Sequence, residues 1–385
     1  MLTGSILQPM TLDAINARRR WVWRIIVDDQ PLDGTSNKAV NNNFDDDTPA
    51  TGLRDESPDA SQRVRTGDLI DTIKEYADKL EQDGSSRGDL KILSRTLREL
   101  RYAFKVFSAY RDRRKVTVFG SARTRPDEPA YQQAMDFGKA MADHDWMVIT
   151  GAASGIMEAG HRGSGREHAM GLNIMLPFEQ SANEVIEGDR KLVHMKYFFT
   201  RKLMFVKECD AVVCLPGGFG TLDEGLEVLT LLQTGKHDMM PVVLLDAPGG
   251  NYWHSLQRFV IEQVLHGGMI SEEDLGLYTI TDSCADAVHE VLRFYTRYHS
   301  MRYVKNELVL RLNHELMPDQ LTEINHAFAD ILAAGEFRQT EALAAERDEP
   351  DLLDLPRLVF QFDRRNLGRL RQLIDWLNAD NSAVA

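Results

Sequence analysis

The stretch AVVCLPGGFGTLDE, residues 211–224, joins a short apolar strand to a glycine-rich turn and the beginning of a helix. The free N–H groups of such a helix converge where its dipole also favours negative charge, so the turn is suited to bind a phosphate. Two acidic residues, Asp223 and Glu224, follow in the first helical turn. Because carboxylates are poor phosphate ligands, this pair indicates recognition of sugar hydroxyls or acid–base chemistry on a phosphorylated substrate.

Composition limits the possible partners. The chain has 385 residues, of which 43% are hydrophobic and 27% charged, so it can bury a full core, with one main domain and appended pieces. Its net charge of -14 argues against broad contact with nucleic acid or an anionic membrane. We therefore expect small molecules and other subunits as partners. Three cysteines without metal-ligand spacing fit a cytoplasmic location.

The N-terminal region predicts a linker rather than a domain. Residues 18–27, RRRWVWRIIV, are too short to span a bilayer and lack a signal-peptide cleavage pattern. The two tryptophans allow either peripheral membrane contact or docking on the rest of the protein, and the acidic surroundings favour docking. Residues 1–68 are predicted to be an N-terminal segment followed by a mostly disordered acidic linker. Residues 69–112 show apolar residues at helical spacing and are predicted to be helices.

Residues 113–298 alternate between short apolar runs and longer helical patterns, which predicts a doubly wound, Rossmann-like α/β domain with a parallel sheet. The predicted strands are 115–119, 146–150, 171–176, 192–195, 211–215, 241–245 and 278–281. The predicted helices are 130–143, 155–167, 200–208, 221–234, 252–266 and 284–295. In such sheets ligands bind beyond the carboxyl ends of the strands, where every glycine-rich turn of this chain is expected.

Residues 299–385 are predicted to form a small α/β appendage. The pattern indicates a strand at 303–312, a helix at 318–334, a charged loop, a strand at 357–362 and a helix at 366–377. No motif in this region indicates a function.

Three further segments are expected at the same sheet edge as the opening motif. FGSAR, residues 119–123, and TGAASGIME, residues 150–158, each place small residues after a strand, so Gly120, Ser121 and Gly151 are candidate ligand contacts. Such turns also occur for packing or chain reversal alone. In the third, YFFTRKLMF at 197–205, Arg201 and Lys202 begin a helix, where cations need an anionic partner or solvent.

Together these motifs resemble the LOG (Lonely Guy) family. Residues 216–224 match its Pro-Gly-Gly-X-Gly-Thr-X-X-Glu signature, and Arg201-Lys202 stand where that family has an Arg-Lys pair. The resemblance covers roughly residues 115–295, and Thr234-Gly235-Lys236-His237 is similar to the larger bacterial members. It implies a phosphoribohydrolase that cleaves a nucleoside 5′-monophosphate into free base and ribose 5-phosphate. The base it implies is adenine, as in AMP, or an N6-modified adenine, as in cytokinins.

The resemblance also implies roles for individual residues. Glu224 and Arg201 would be catalytic, Lys202 would assist in phosphate binding and Asp223 would lie near the ribose hydroxyls. The phosphate cradle would comprise Gly217, Gly218, Phe219, Gly220 and Thr221. Glu179 and Thr230 match further substrate contacts. The chain departs from the family pattern at Asp223, usually Glu, and at 150–153, where the turn has fewer glycines.

The chemistry supports this interpretation independently of the resemblance. Glycosidic cleavage builds positive charge on the sugar, which a carboxylate near C1′ stabilises while it orients or deprotonates water. Glu224 suits that role without a metal or cofactor. The alternative is a non-catalytic nucleotide-binding or cofactor-carrier protein with the same cradle. We expect a homo-oligomer, a dimer or larger, without nucleic acid or a membrane span.

Overall fold

The computed structural model describes residues 60–176, 181–347 and 349–379, with side chains from residue 66 onward. The chain divides into two compact units between Ser94 and Arg95. Helix α1 (Ala60–Gln82) begins inside the predicted linker, so residues 60–68 are helical rather than disordered. The remaining linker and the tryptophan segment at 18–27 lie outside the described residues. Helix α2 (Arg87–Ser108) follows.

A seven-stranded parallel sheet forms the main domain, as predicted. Its strands are β1 (Lys115–Phe119), β2 (Met147–Thr150), β3 (Ala169–Ile174), β4 (Leu192–Met195), β5 (Ala211–Cys214), β6 (Val242–Leu245) and β7 (Thr279–Thr281), in the order β4-β3-β2-β1-β5-β6-β7. Strands β1, β2, β3, β5 and β6 are buried along their whole length, because helices cover both faces. The order reverses at β1, where a doubly wound sheet opens its ligand crevice.

Two helical layers sandwich this sheet. The helices after α2 in this domain are α3 (Pro129–Asp143), α4 (Ile156–His168), α5 (Phe198–Lys207), α6 (Phe219–Gln233), α7 (Tyr252–Phe259), which continues as a π-helical turn (Val260–Leu265), and α8 (Cys284–Arg293). Residues of α3, α4 and α8 pack on one face, against the side of β1 that carries Val116 and Val118. Residues of α2, α5 and α6 pack on the other. In the described ranges, no helix is both long and apolar enough to cross a bilayer.

The C-terminal appendage is built on an antiparallel sheet. Strands β8 (Tyr298–Val304), β9 (Glu307–Leu312), β10 (Leu332–Thr340) and β11 (Arg357–Phe362) have the order β10-β11-β9-β8. Helices α9 (Pro318–Ala327) and α10 (Leu367–Ala379) accompany them. The prediction of one strand at 303–312 was wrong, because Lys305 adopts a positive φ of 56° and reverses the chain. The predicted helix 318–334 ends at Ala327, and strand β10 was missed.

Candidate active site

The carboxyl ends of three adjacent strands bring the glycine-rich turns together. Strand β1 pairs with β2 on one side and β5 on the other. The N–H of Ser121 donates to the carbonyl of Pro216 at 3.2 Å, and the Ser121 carbonyl accepts from Ile156 at 3.0 Å. A Cβ at Gly120 would clash with Ile156, and one at Gly155 would clash with Ser121 and Ala122. These turns therefore touch through their backbones, and glycine is what permits the approach.

The turn before α6 leaves open space at the helix N-terminus. Gly218 is the N-cap residue with an extended backbone, and a Cβ at Gly218 or Gly220 would meet nothing within 4 Å. The first N–H groups of a helix have no preceding helical carbonyl to bond, so they face this space. Thr221 is buried, whereas the Phe219 side chain is 93% exposed. The predicted cradle is therefore unobstructed where an anion would bind.

Tyr252, at the start of α7, supports this turn from the other side. Its hydroxyl donates a 2.7 Å hydrogen bond to the carbonyl of Gly217. Its ring contacts Trp253 edge-on, with ring centroids 4.7 Å apart. Trp253 is itself buried and donates to the Leu245 carbonyl at the end of β6. The turn is thus fixed to the core through a residue 35 positions away, which sequence analysis did not identify.

Glu99 of α2 fixes the beginning of α5. Its buried carboxylate accepts from the Thr200 hydroxyl at 2.9 Å and from the Lys196 N–H at 3.0 Å. It also forms an ion pair with Arg95 at 3.0 Å. A carboxylate at a helix N-terminus is stabilised by the helix dipole, so Glu99 fixes both the start and the direction of α5. The next residue, Arg201, is therefore set in a defined position.

Arg201 is a largely buried cation without an anionic partner among the described residues. Its guanidinium lies over the rings of Phe198 and Phe205, 5.2 and 5.4 Å from their centroids. Its Nε is buried and has no hydrogen-bond partner in the described part of the chain. Burial lowers the pKa of Arg201, and the nearby Glu224 carboxylate opposes that shift. A guanidinium nevertheless remains charged, so this site favours an additional anion.

Lys202 joins three carboxylates of α6. Its Nζ lies 3.0 Å from Asp223, 3.2 Å from Glu224 and 2.6 Å from Glu227. Burial acts against its charge, but hydrogen bonds to Glu227 and Asp223 hold its pKa above the usual range. In the residues described, no group of three His, Cys, Asp or Glu side chains is arranged to hold a metal ion. The acidic residues instead converge on an ammonium group.

Glu224 is a buried carboxylate, only 5% exposed. Burial raises its pKa, although Lys202 and Arg201 oppose the shift. The buried Cys214 lies beneath it on β5, and burial raises the pKa of that thiol to about 12, so it is neutral. A carboxylate with a raised pKa, facing an unpaired guanidinium, has the properties of a general base.

The turn after β2 forms the wall beside Arg201. A Cβ at Gly151 would lie 3.6 Å from an Arg201 guanidinium nitrogen. The next residue, Ala152, is buried at a positive φ of 59°, and its N–H donates to the Thr150 hydroxyl at 3.0 Å. The buried His161 and Asn183 complete this network, and the Asn183 amide donates to the Ala153 carbonyl at 3.1 Å. The left-handed turn is therefore held by hydrogen bonds rather than by glycine.

Comparison with known proteins identifies the family. The family described as "Possible lysine decarboxylase" matches residues 150–291. The cytokinin riboside 5′-monophosphate phosphoribohydrolase LOG3 of Arabidopsis thaliana is 36% identical over 167 residues, which cover 41% of this chain and 72% of that protein. This chain belongs to the LOG family. The probable LOG4 enzyme of Oryza sativa subsp. japonica is 29% identical over 181 residues, 45% of this chain and 74% of that protein.

Solved structures show a more distant similarity to this LOG chain. The molybdenum cofactor carrier protein of Chlamydomonas reinhardtii is 19% identical and covers 47% of this chain and 97% of that protein, with a TM-score of 0.34. That match does not bear on function.

The structure brings Arg201 and Lys202 of α5 near Glu224 of the signature segment. Glu179 lies outside the described residues. Thr230 donates to the Leu226 carbonyl and lines a separate apolar cavity of about 370 Å³ with Leu229 and Phe259. Glu227 was not predicted as a site residue, although its position three residues after Glu224 places both on one face of α6.

Proposed function

We propose that this protein hydrolyses the N-glycosidic bond of a nucleoside 5′-monophosphate and releases the free base and ribose 5-phosphate. The first candidate substrates are AMP and N6-modified adenine nucleotides, because the Arabidopsis and rice relatives are named for cytokinin riboside 5′-monophosphate. The observation that carries the proposal is the buried Glu224 carboxylate, which interacts with the Arg201 charge and lies in α6 just after its open N-terminus.

Each part of this arrangement has a task in the reaction. The 5′-phosphate binds at the open turn, where Gly218 and Gly220 allow close approach and the helix dipole favours its charge. Arg201 supplies a further positive charge at the same edge. Holding the phosphate fixes the ribose, so binding energy remote from the bond places C1′ near Glu224. Asp223, which is 62% exposed at its side chain, is available to the ribose hydroxyls.

Glu224 performs the chemistry. As the C1′–N bond breaks, its electron pair leaves with the base and positive charge develops on the sugar ring, which the carboxylate stabilises. Water adds its oxygen to C1′ and transfers a proton to Glu224. That proton passes through solvent to the departing base, so water supplies the OH on C1′ and the H on the base. The raised pKa of Glu224 makes it a stronger base than an exposed carboxylate.

Incubation with a panel of nucleoside monophosphates tests this function, with free base and ribose 5-phosphate as the measured products. Glu224→Gln is expected to lower kcat about 100-fold or more while nucleotide affinity changes little. Glu208→Gln is the matched control, because the Glu208 carboxylate is also mostly buried but pairs with Lys207. Tight binding without base release in the wild type would instead support the carrier alternative.

We also propose that a second copy of the chain covers the outer surfaces of α5 and α6. Phe198 and Phe199 are each 52% exposed, Leu203 and Leu226 are each 47% exposed, and all lie on these two helices. Large apolar side chains exposed on two neighbouring helices are typical of subunit interfaces. Light scattering over a range of concentrations should show a dimer or larger assembly, and a monomer at every concentration would contradict the proposal.

A further inference from the structure

Glu224 shares its ion-pair partner, Lys202, with other carboxylates of α6. The Lys202 ammonium is shared with Glu227, whose oxygen is closer, at 2.6 Å against 3.2 Å for Glu224. Both carboxylates hydrogen-bond to the same Nζ. They lie three residues apart on α6, so one face of the helix presents both to α5. Glu227 is also the more exposed, with 37% of its side chain accessible against 6% for Glu224.

This sharing affects the basicity of Glu224. An ammonium bound only to Glu224 would stabilise the ionised carboxylate and make it a weaker base. A second carboxylate on that ammonium weakens the pairing and also repels charge on Glu224. A general base works best when its pKa lies near the working pH, so the competition favours proton transfer.

We propose that Glu227 is a positioning residue that competes with Glu224 for Lys202 and thereby keeps the Glu224 carboxylate basic enough to accept a proton from water. This inference rests on the proposed function, in which Glu224 is the base. Glu227 acts on Glu224 through Lys202 and does not contact the substrate.

The other charged groups around Glu224 do not substitute for Glu227. Arg201 and Lys202 face it from α5, and both favour its ionised form. The Cys214 thiol faces it from β5 and is neutral, because burial raises its pKa to about 12. Asp223 also contacts Lys202, but its side chain is 62% exposed, so solvent screens its charge. Among these groups, Glu227 is the carboxylate that contributes to the raised pKa of Glu224.

The pH dependence of kcat/KM in Glu227→Gln tests the proposal. Loss of the competing charge lets Lys202 pair fully with Glu224, so the acid limb should move to lower pH by about one unit. The rate on the plateau should fall several-fold, because the base is weaker. Glu227→Asp keeps the charge and should restore most of the wild-type profile. Glu208→Gln removes a carboxylate that does not contact Lys202 and should leave the limb in place.

A titration of the Glu224 carboxyl by ¹³C NMR separates this inference from the proposed function. The Glu224 pKa should be lower in Glu227→Gln than in the wild type whether or not nucleotides are cleaved. A lower pKa in a protein without turnover would refute the reaction but retain the competition. An unchanged or higher Glu224 pKa, or an acid limb that does not move, would overturn the inference.

Discussion

The Tyr252 hydroxyl donates a 2.7 Å hydrogen bond to the Gly217 carbonyl and so ties α7 to the turn before α6. We expect Tyr252→Phe to remove about 1 kcal/mol of support from this turn. If that support is used to hold the phosphate-binding conformation, KM should rise about fivefold with a smaller change in kcat. Steady-state kinetics with the best substrate measures both values. A large loss in kcat at unchanged KM would show that Tyr252 acts on the chemical step instead.

Two glycines of the signature turn are predicted to have different roles: Gly217 is needed for packing and Gly218 for nucleotide binding. A Cβ at Gly217 would overlap the Thr221 side chain and lie 3.0 Å from the Ser121 N–H. Gly217→Ala should therefore lower the free energy of unfolding by about 1–3 kcal/mol, as expected for overpacking. Chemical denaturation measures this loss.

Gly218→Ala is the matched comparison, because its Cβ would enter open space. It should preserve stability but weaken nucleotide binding, since the methyl group occupies the region assigned to the phosphate. Equal stability losses in both variants would contradict this distinction.

The parts of the fold that were predictable share one physical cause. Each central strand is buried on both faces, so its sequence is a continuous apolar run such as 211–215, bounded by a turn. Strand β10 gives no such signal, because residues 333–336 and 338 are exposed and the segment LAAG extends the helical pattern of α9. Its pairing with β11 determines its conformation. Tertiary context therefore overrode local propensity in the appendage.

The candidate site also contains residues that local sequence patterns indicated and contacts that they did not. Gly217, Arg201 and Glu224 could be proposed as site residues because they follow strands or open helices at known spacing. The Tyr252 contact and the His161 network join residues distant in sequence, so no local pattern could indicate them. Lys202 was expected to assist the phosphate, but its described contacts are to carboxylates of α6.

His161 is expected to make stability depend on pH. Burial lowers its pKa from 6.5 to about 4 in the folded protein, while its ring bonds the Met170 carbonyl and Asn183. As pH falls, His161 therefore takes up a proton at a higher pH in the unfolded chain than in the folded protein. The contribution of neutral His161 to the free energy of unfolding is complete above pH 6.5. It is lost progressively down to about pH 4, and the loss amounts to about 3 kcal/mol.

Urea denaturation at several pH values between 7 and 4 tests this expectation. His161→Gln should be less stable than the wild type at pH 7, and the difference should shrink as pH falls. A difference that stays constant over this range would show that His161 does not titrate in this manner.

The appendage contains a buried ion cluster. Glu346 is fully buried and pairs with Arg311 at 2.8 Å and with Arg357 at 3.2 Å, and Glu349 provides a second carboxylate for Arg311. Although burial opposes ionisation, hydrogen bonds from the Leu343 N–H and Arg357 hold the pKa of Glu346 below its usual value. Glu346→Ala should cost about 3–5 kcal/mol, because it leaves both cations buried with less compensation. Glu341→Ala, at an exposed position nearby, is the control and should change stability little. Thermal unfolding of both variants measures the difference. Equal melting temperatures would mean that the ion cluster does not stabilise the pairing of β9 with β11.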